Sequence, residues 1–271
     1  MTSRALSEGV LLCYITFMVL QAKGLVEGLK REGIFQAVGN LRKGLLQIAI
    51  TMVVSAVIIF PFSKPLLRLL RDTSLKIDLV AFAIPEAFFS LLKLTLYASL
   101  FASIPIIFYQ VWRAFSPLFR AKGLTSGKTI LITAILLFYL GASFCFFITL
   151  PFGVQFLLGY QSATIKPMIS AGRYVSFCGF FVFGFGLTFE LPLILALLSY
   201  LRVVSAAFLT RNRKYAILLV AITAAVITPT PDVFNMALMG VPLYILFEIG
   251  VILVKMIERK RAIAGTSPAE K

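Results

Sequence analysis

Residues 183–198 read FGFGLTFELPLILALL, and a single carboxylate, Glu190, stands inside this run, whose nearest charged neighbours are Arg173 and Arg202. The run from 174 to 199 is long enough to cross a bilayer, where only a helix or a closed barrel satisfies its own backbone. A charge at the bilayer centre costs about 2.5–3.5 kcal/mol even on insertion scales, so an ionisable group there faces protein or water rather than lipid. Pro192, two residues on, removes a backbone donor and predicts a break in the helix beside the carboxylate.

Composition extends this reading to the whole chain. Its 271 residues are 60% apolar, with 26 Phe, one Trp and no histidine, and the mean hydropathy is +0.97. Several separate apolar runs of membrane length predict an all-α polytopic membrane protein. The absence of histidine excludes Ser-His-Asp and Cys-His catalysis and His-ligated zinc. Cys13, Cys145 and Cys178 form no CxxC spacing and read as small apolar residues, so no metal, cofactor or enzymatic activity is expected.

Six spans are predicted, at about 44–62, 93–113, 129–152, 174–199, 215–228 and 235–255. The first, GLLQIAITMVVSAVIIFPF, follows Arg42 and Lys43. Residues 63–92 mix Lys64, Arg68, Arg71 and Asp72 with leucines, which predicts short interfacial amphipathic helices forming an ordered cap that includes Pro65, Pro85 and Glu86. Tyr109, Trp112 and Arg113 end the second span as an aromatic and basic anchor. The fifth span is short: fourteen helical residues rise about 21 Å against a hydrocarbon core of about 30 Å, which predicts local thinning or water entry. Asp232, in the TPTPD turn that follows, is placed to cap the sixth span at its amino end.

Basic residues concentrate in the amino-terminal arm, the loops near 113–128 and 202–214, and the tail from Lys255, which puts both termini in the cytoplasm. The formal net charge of +15 is accounted for by this asymmetry and by anionic lipid, without nucleic acid. Residues 1–43 form a cytoplasmic arm. Within it the apolar run 9–22 has signal-peptide length but a poor cleavage exit, and reads as an interfacial segment or an early start. Residues 256–271 form a basic cytoplasmic tail.

Several stretches carry a resemblance. PEAFFSLLKLTLYASLFASIPIIFYQVWRAFSPLF at 85–119 resembles the C subunit of the twin-arginine protein translocase, the TatC family, in its P-x-E-A-F-like entry and its Tyr-Gln-x-Trp exit followed by Phe115 and Pro117. Gly184–Pro192 resembles that family's fourth span, TPTPDVFNMALMGVPLYILFEIGV at 228–251 its fifth-to-sixth hairpin, and Leu41-Arg42-Lys43 its amino-terminal L-R-K. The resemblance runs in order from residue 40 to about 255. It implies a curved, glove-like six-span bundle with a periplasmic or lumenal cap, in the bacterial cytoplasmic (inner) membrane. The implied function is a receptor and scaffold for proton-gradient-driven export of folded proteins. Their twin-arginine signal peptides would bind on the cytoplasmic side near Leu41, Arg42, Lys43, Trp112, Phe115, Pro117 and Gly123, and single-span TatA/TatB-type subunits would be recruited within a homo-oligomer.

Glu190 matches the glutamate that this family places in an intramembrane cavity near a docked partner helix. Glu248 is a lesser candidate of the same kind; a polar group of span five is its expected partner, and a carboxylic acid hydrogen-bonded within the bundle is the alternative. The chain also departs from the family. Asn40 and Gly123 stand where members carry glutamates that would meet a cationic signal, and losing each removes charge-assisted bonds of about 1.5–3 kcal/mol. Glu27 and Glu32 on the arm are the substitutes. A proton-coupled secondary transporter using Glu190 is the alternative function; it is disfavoured because nothing echoes the Glu190 segment beyond the weak pair Phe247-Glu248.

Overall fold

The computed structural model describes residues 31–74, 79–120, 127–159, 168–227 and 233–265. The described residues up to Gln47 and those from Ile48 onward group as two units. In chain order the elements are α1 (Arg31–Ile59), a 3-10 turn (Phe60–Phe62), α2 (Ser63–Ser74), β1 (Leu79–Val80), α3 (Ile84–Arg120), α4 (Gly127–Phe144), a π turn (Cys145–Thr149), α5 (Leu150–Leu158), β2 (Ile169–Ser170), α6 (Ala171–Phe189), α7 (Leu191–Tyr200), α8 (Ala206–Arg211), α9 (Arg213–Ile227) and α10 (Val233–Gly265). The molecule is an all-α polytopic membrane protein.

Among the described residues, five helical stretches are long and apolar enough to cross a bilayer: Gly44–Thr73, Ile84–Ala114, Gly127–Phe156, Ala171–Tyr200 and Met236–Arg261. A shorter apolar helix, α9, fifth of the membrane runs in chain order, has 15 residues, about 22 Å of rise and short of a bilayer core. Helix boundaries differ from the hydropathy reading in three places. The second membrane helix starts at Ile84 rather than near 93, because Pro85 and Glu86 open it and no breaker follows before Pro105. The last helix runs to Gly265, past the tail boundary at 256. The arm boundary at 43 falls inside α1.

The core is aromatic. Phe138 on α4 is fully buried, and its ring meets Phe101 at 5.7 Å, Phe108 at 5.8 Å and Phe183 at 5.8 Å, mostly edge-on, the arrangement the ring quadrupole favours. Glycines let the helices close on these rings. A Cβ at Gly186 would lie 2.6 Å from the Phe138 ring, and one at Gly179 would lie 2.5 Å from the Tyr97 ring. Helix α3 adds a buried small-polar row, Thr95, Ser99 and Ser103, spaced four apart. Their hydroxyls donate to carbonyls of α3 itself, so close approach to α6 leaves none of the three orphaned.

The break within Gly127–Phe156 has a proline signature. Pro151 cannot donate to the preceding turn, and the backbone there widens into the π turn, with Leu150 N–H donating to Cys145 O. The cap is ordered by pairing that has no helical counterpart. β1 and β2 pair in parallel, Leu79 with Ile169 and Val80 with Ser170. Glu86 accepts from Phe82 N at 2.6 Å, Gly172 N at 3.4 Å and the Ser170 hydroxyl, which ties the start of α3 to the start of α6. Tyr174 Oη donates to Leu70 O at 3.3 Å and holds α2 onto the same corner. Pro65 and Pro85 are exposed in the first turns of α2 and α3, where a missing N–H costs nothing.

Candidate functional site

Helices α6 and α7 would be one span but for a single residue between them, Glu190. Its backbone has φ −72° and ψ −14°. Its N–H donates to Leu187 O at 3.2 Å, a tightened turn, and the helical ladder resumes with Ile194 N–H donating to Glu190 O at 2.9 Å. Pro192 occupies the first turn of α7 and has no N–H to carry the ladder across, so the sequence itself sets the break.

The break is enclosed by close packing on two sides. Toward α4, Phe189 lies flat on Gly141, where a Cβ would sit 2.5 Å from the Phe189 ring, and Phe144 meets the Phe189 ring at 5.7 Å. Toward α10, a Cβ at Gly250 would lie 2.6 Å from Leu195 Cδ1 and 3.3 Å from Pro192 Cα. Glu190 is 6% exposed. Its Oε1 is buried and has no hydrogen-bond partner among the described residues, while the Phe138 backbone lies within hydrogen-bonding reach of the carboxyl group. Buried polar atoms in native structures are nearly always paired, and an orphaned carboxylate oxygen costs at least about 1–3 kcal/mol. Two hydroxyls share this condition, Thr149 Oγ1 in the π turn and Ser199 Oγ.

Glu248 is different. Its Oε2 accepts from Arg213 Nη2 at 3.0 Å and its Oε1 from Tyr244 Oη at 2.9 Å, so both oxygens are occupied within the chain. The partner from the fifth apolar helix is Arg213 in its first turn; Tyr244, four residues before Glu248, was readable from helical spacing but only once the acceptor was known.

On the opposite end of the bundle from the cap, Trp112 lies against Gly127, where a Cβ would sit 2.8 Å from Nε1; the indole closes α3 onto the start of α4. Phe115 and Pro117 lie on the last turns of α3, and Leu41, Arg42 and Lys43 on α1, without described side-chain positions. Gly123, Asp232, Glu27 and the run 9–22 lie outside the described residues, and Glu32 and Asn40 lie on α1 with undescribed side chains.

Sequence reading missed a second polar cluster, at the α7–α8 turn. Arg261 on α10 donates to Ser199 O at 3.1 Å and to Tyr200 O at 2.7 Å, and its guanidinium stacks 4.7 Å from the Tyr200 ring centroid. Glu258 accepts from Ala206 N at 2.9 Å, at the start of α8. These residues close orphan carbonyls at one helix end and an orphan amide at the next. Between them Arg202 has φ 61°, the left-handed region.

The chain matches the family model described as "Sec-independent protein translocase protein (TatC)" over residues 36–242. It is 35% identical to the Sec-independent protein translocase protein TatC of Carboxydothermus hydrogenoformans over 229 residues, 84% of this chain and 94% of that one. It is 34% identical to the protein of the same name from Aquifex aeolicus over 228 residues, 82% and 94% of the two chains. Among solved structures it resembles one described as the twin arginine translocase receptor TatC, with a TM-score of 0.71 and 33% identity over 81% of this chain and 98% of that one.

Proposed function

This chain belongs to the TatC family of Sec-independent protein translocase proteins, whose members are translocase components and not enzymes, and from that membership we propose that it is the receptor and scaffold subunit of a twin-arginine translocase. It binds signal peptides of folded passengers at its cytoplasmic face, around Leu41–Lys43 and Trp112–Pro117. It recruits single-span TatA/TatB-type subunits within the membrane, with both termini in the cytoplasm.

The observation that carries the proposal is Glu190, a carboxyl group buried in a membrane helix at a built break, whose Oε1 makes no hydrogen bond among the described residues. Such an acceptor suits a donor on another membrane helix, where it fixes depth and register. Glu248, satisfied by Arg213 and Tyr244, belongs to the internal framework in this reading. The cationic signal then depends on Glu27, Glu32 and backbone acceptors, since Asn40 and Gly123 carry no charge.

Export of a folded reporter bearing a paired-arginine signal tests the proposal. Glu190→Ala is expected to abolish most export while the chain still inserts and accumulates, and export at the wild-type level would refute the docking role. Photo-crosslinkers along the signal are expected to label residues 40–43 and 112–117; labelling elsewhere only would refute the receptor assignment.

A further inference from the structure

Pro105 lies near the middle of α3, and α3 passes it as unbroken α-helix, whereas the chain widens into a π turn before Pro151 and changes helix before Pro192. A proline has no N–H, so the carbonyl four residues back, Phe101 O, loses its helical donor. At membrane depth no water replaces it, and a proline is tolerated there where a neighbouring helix satisfies the freed group. The next helix does so: Tyr139 Oη on α4 donates to Phe101 O at 2.9 Å. Tyr139 is partly exposed at the rim of the bundle, where hydrocarbon offers no donor. The nearest hydroxyls of α3 itself are engaged, Ser99 with Leu96 O and Ser103 with Ser99 O.

Packing aims the phenol at this carbonyl. Phe138, the residue before Tyr139, is fully buried; its ring stands edge-on to the Tyr139 ring at 5.9 Å and meets the Phe101 ring at 5.7 Å. Farther along, Trp112 closes on Gly127. Between these two contacts lies Pro105, and beyond it the half of α3 that ends in Trp112, Phe115 and Pro117. A missing rung beside a proline is where a helix bends. A donor from α4 on the freed carbonyl ties that bend to the neighbouring helix.

We propose that Tyr139 is a positioning residue for the receptor face: its hydroxyl stands in for the N–H that Pro105 lacks, and sets the direction in which the second half of α3 carries Trp112–Pro117 to the cytoplasmic side. The brace rests on the geometry alone, and its role rests on the receptor reading above.

The test compares four full-length chains in detergent: wild type, Tyr139→Phe, Pro105→Ala and the two changes combined. Tyr139→Phe keeps the ring and removes only the donor, while Pro105→Ala gives Phe101 O a helical N–H of its own. Hydrogen exchange of the α3 amides at 106–112 is expected to rise several-fold in Tyr139→Phe, and to be the same in the Pro105→Ala background with or without the hydroxyl. No rise in Tyr139→Phe, or an equal rise in both backgrounds, overturns the brace. In membranes, labelling of residues 112–117 by a paired-arginine signal carrying a photo-crosslinker should fall several-fold in Tyr139→Phe, with co-purification of a single-span partner unchanged. Unchanged labelling beside faster exchange, or a parallel loss of labelling and partner, overturns the positioning role. If the wild-type signal labels only other residues, the receptor reading fails and the positioning role with it, while the exchange comparison, which uses no signal, still decides the brace.

Discussion

Replacing Gly141 by alanine tests the packing that encloses Glu190. The added Cβ would lie 2.5 Å from Phe189 Cγ and 2.7 Å from Phe189 Cβ. These atoms are the root of the side chain, so rotation about χ1 moves the ring but not the Cβ, and α4 must shift away from α6. Phe189 is 7% exposed, with Phe144 against its other side, which leaves little room to yield. Overpacking of this kind costs about 1–3 kcal/mol, and 1–2 kcal/mol already changes the folded-to-unfolded ratio about 5- to 30-fold. Gly240→Ala is the matched control: its Cβ would meet Val220 Cγ1 at 3.8 Å, an ordinary contact, and alanine in a helix gains about 0.5–1 kcal/mol over glycine. Heating the detergent-purified chains and measuring the monodisperse fraction by size exclusion should give a lower midpoint for Gly141→Ala and an equal or higher one for Gly240→Ala. A Gly141→Ala midpoint at or above wild type would refute the reasoning. Because Phe189 adjoins Glu190, the same variant should also weaken partner assembly.

Three further outcomes follow from the polar contacts. Glu86→Gln presents an amide donor among three donors, the Phe82 and Gly172 amides and the Ser170 hydroxyl; a loss of about 1–3 kcal/mol should appear as faster proteolysis between α2 and α3, and unchanged cleavage would count against the tie. Arg261→Ala frees the Ser199 and Tyr200 carbonyls, so amides of 202–206 should exchange hydrogen faster, and Arg261→Lys should restore only part of the protection because it lacks the planar fork. Arg213→Ala should cost little in stability, about 0–1 kcal/mol, since the Arg213 and Glu248 side chains are 46% and 27% exposed; a collapse of the fold would show that Glu248 depends on this pair alone.

What the sequence revealed follows from where the physics is local. A bilayer demands uninterrupted apolar helices, so the membrane runs and the shortness of α9 are written in consecutive residues. Glu190 and Pro192 were legible for the same reason, being two local exceptions in one run. The ordered cap was read from residues 63–92, but the contacts that order it were not, because a two-residue parallel pair between 79–80 and 169–170 is too short for any periodicity, and Glu86 meets Ser170 from 84 residues away. Helix α3 was read too short since its opening turns at Ile84–Leu92 carry the same mix of polar and apolar residues as an interfacial helix. Arg261 and Glu258 read as tail charges; only the folded path of α10 puts them against the ends of α7 and α8. The fit of Gly141 under Phe189 is likewise a meeting of distant residues, so the enclosure of the carboxylate came from the structure.

The most direct test of the central claim is co-purification of a single-span partner subunit with the wild-type chain, Glu190→Gln and Glu190→Ala, alongside the melting midpoint of each. The account predicts that Glu190→Ala loses the partner with a midpoint close to wild type, because Oε1 makes no hydrogen bond among the described residues, and that Glu190→Gln, which keeps a carbonyl acceptor, retains part of the partner. Full partner retention by Glu190→Ala, or a large fall in its midpoint, would contradict it.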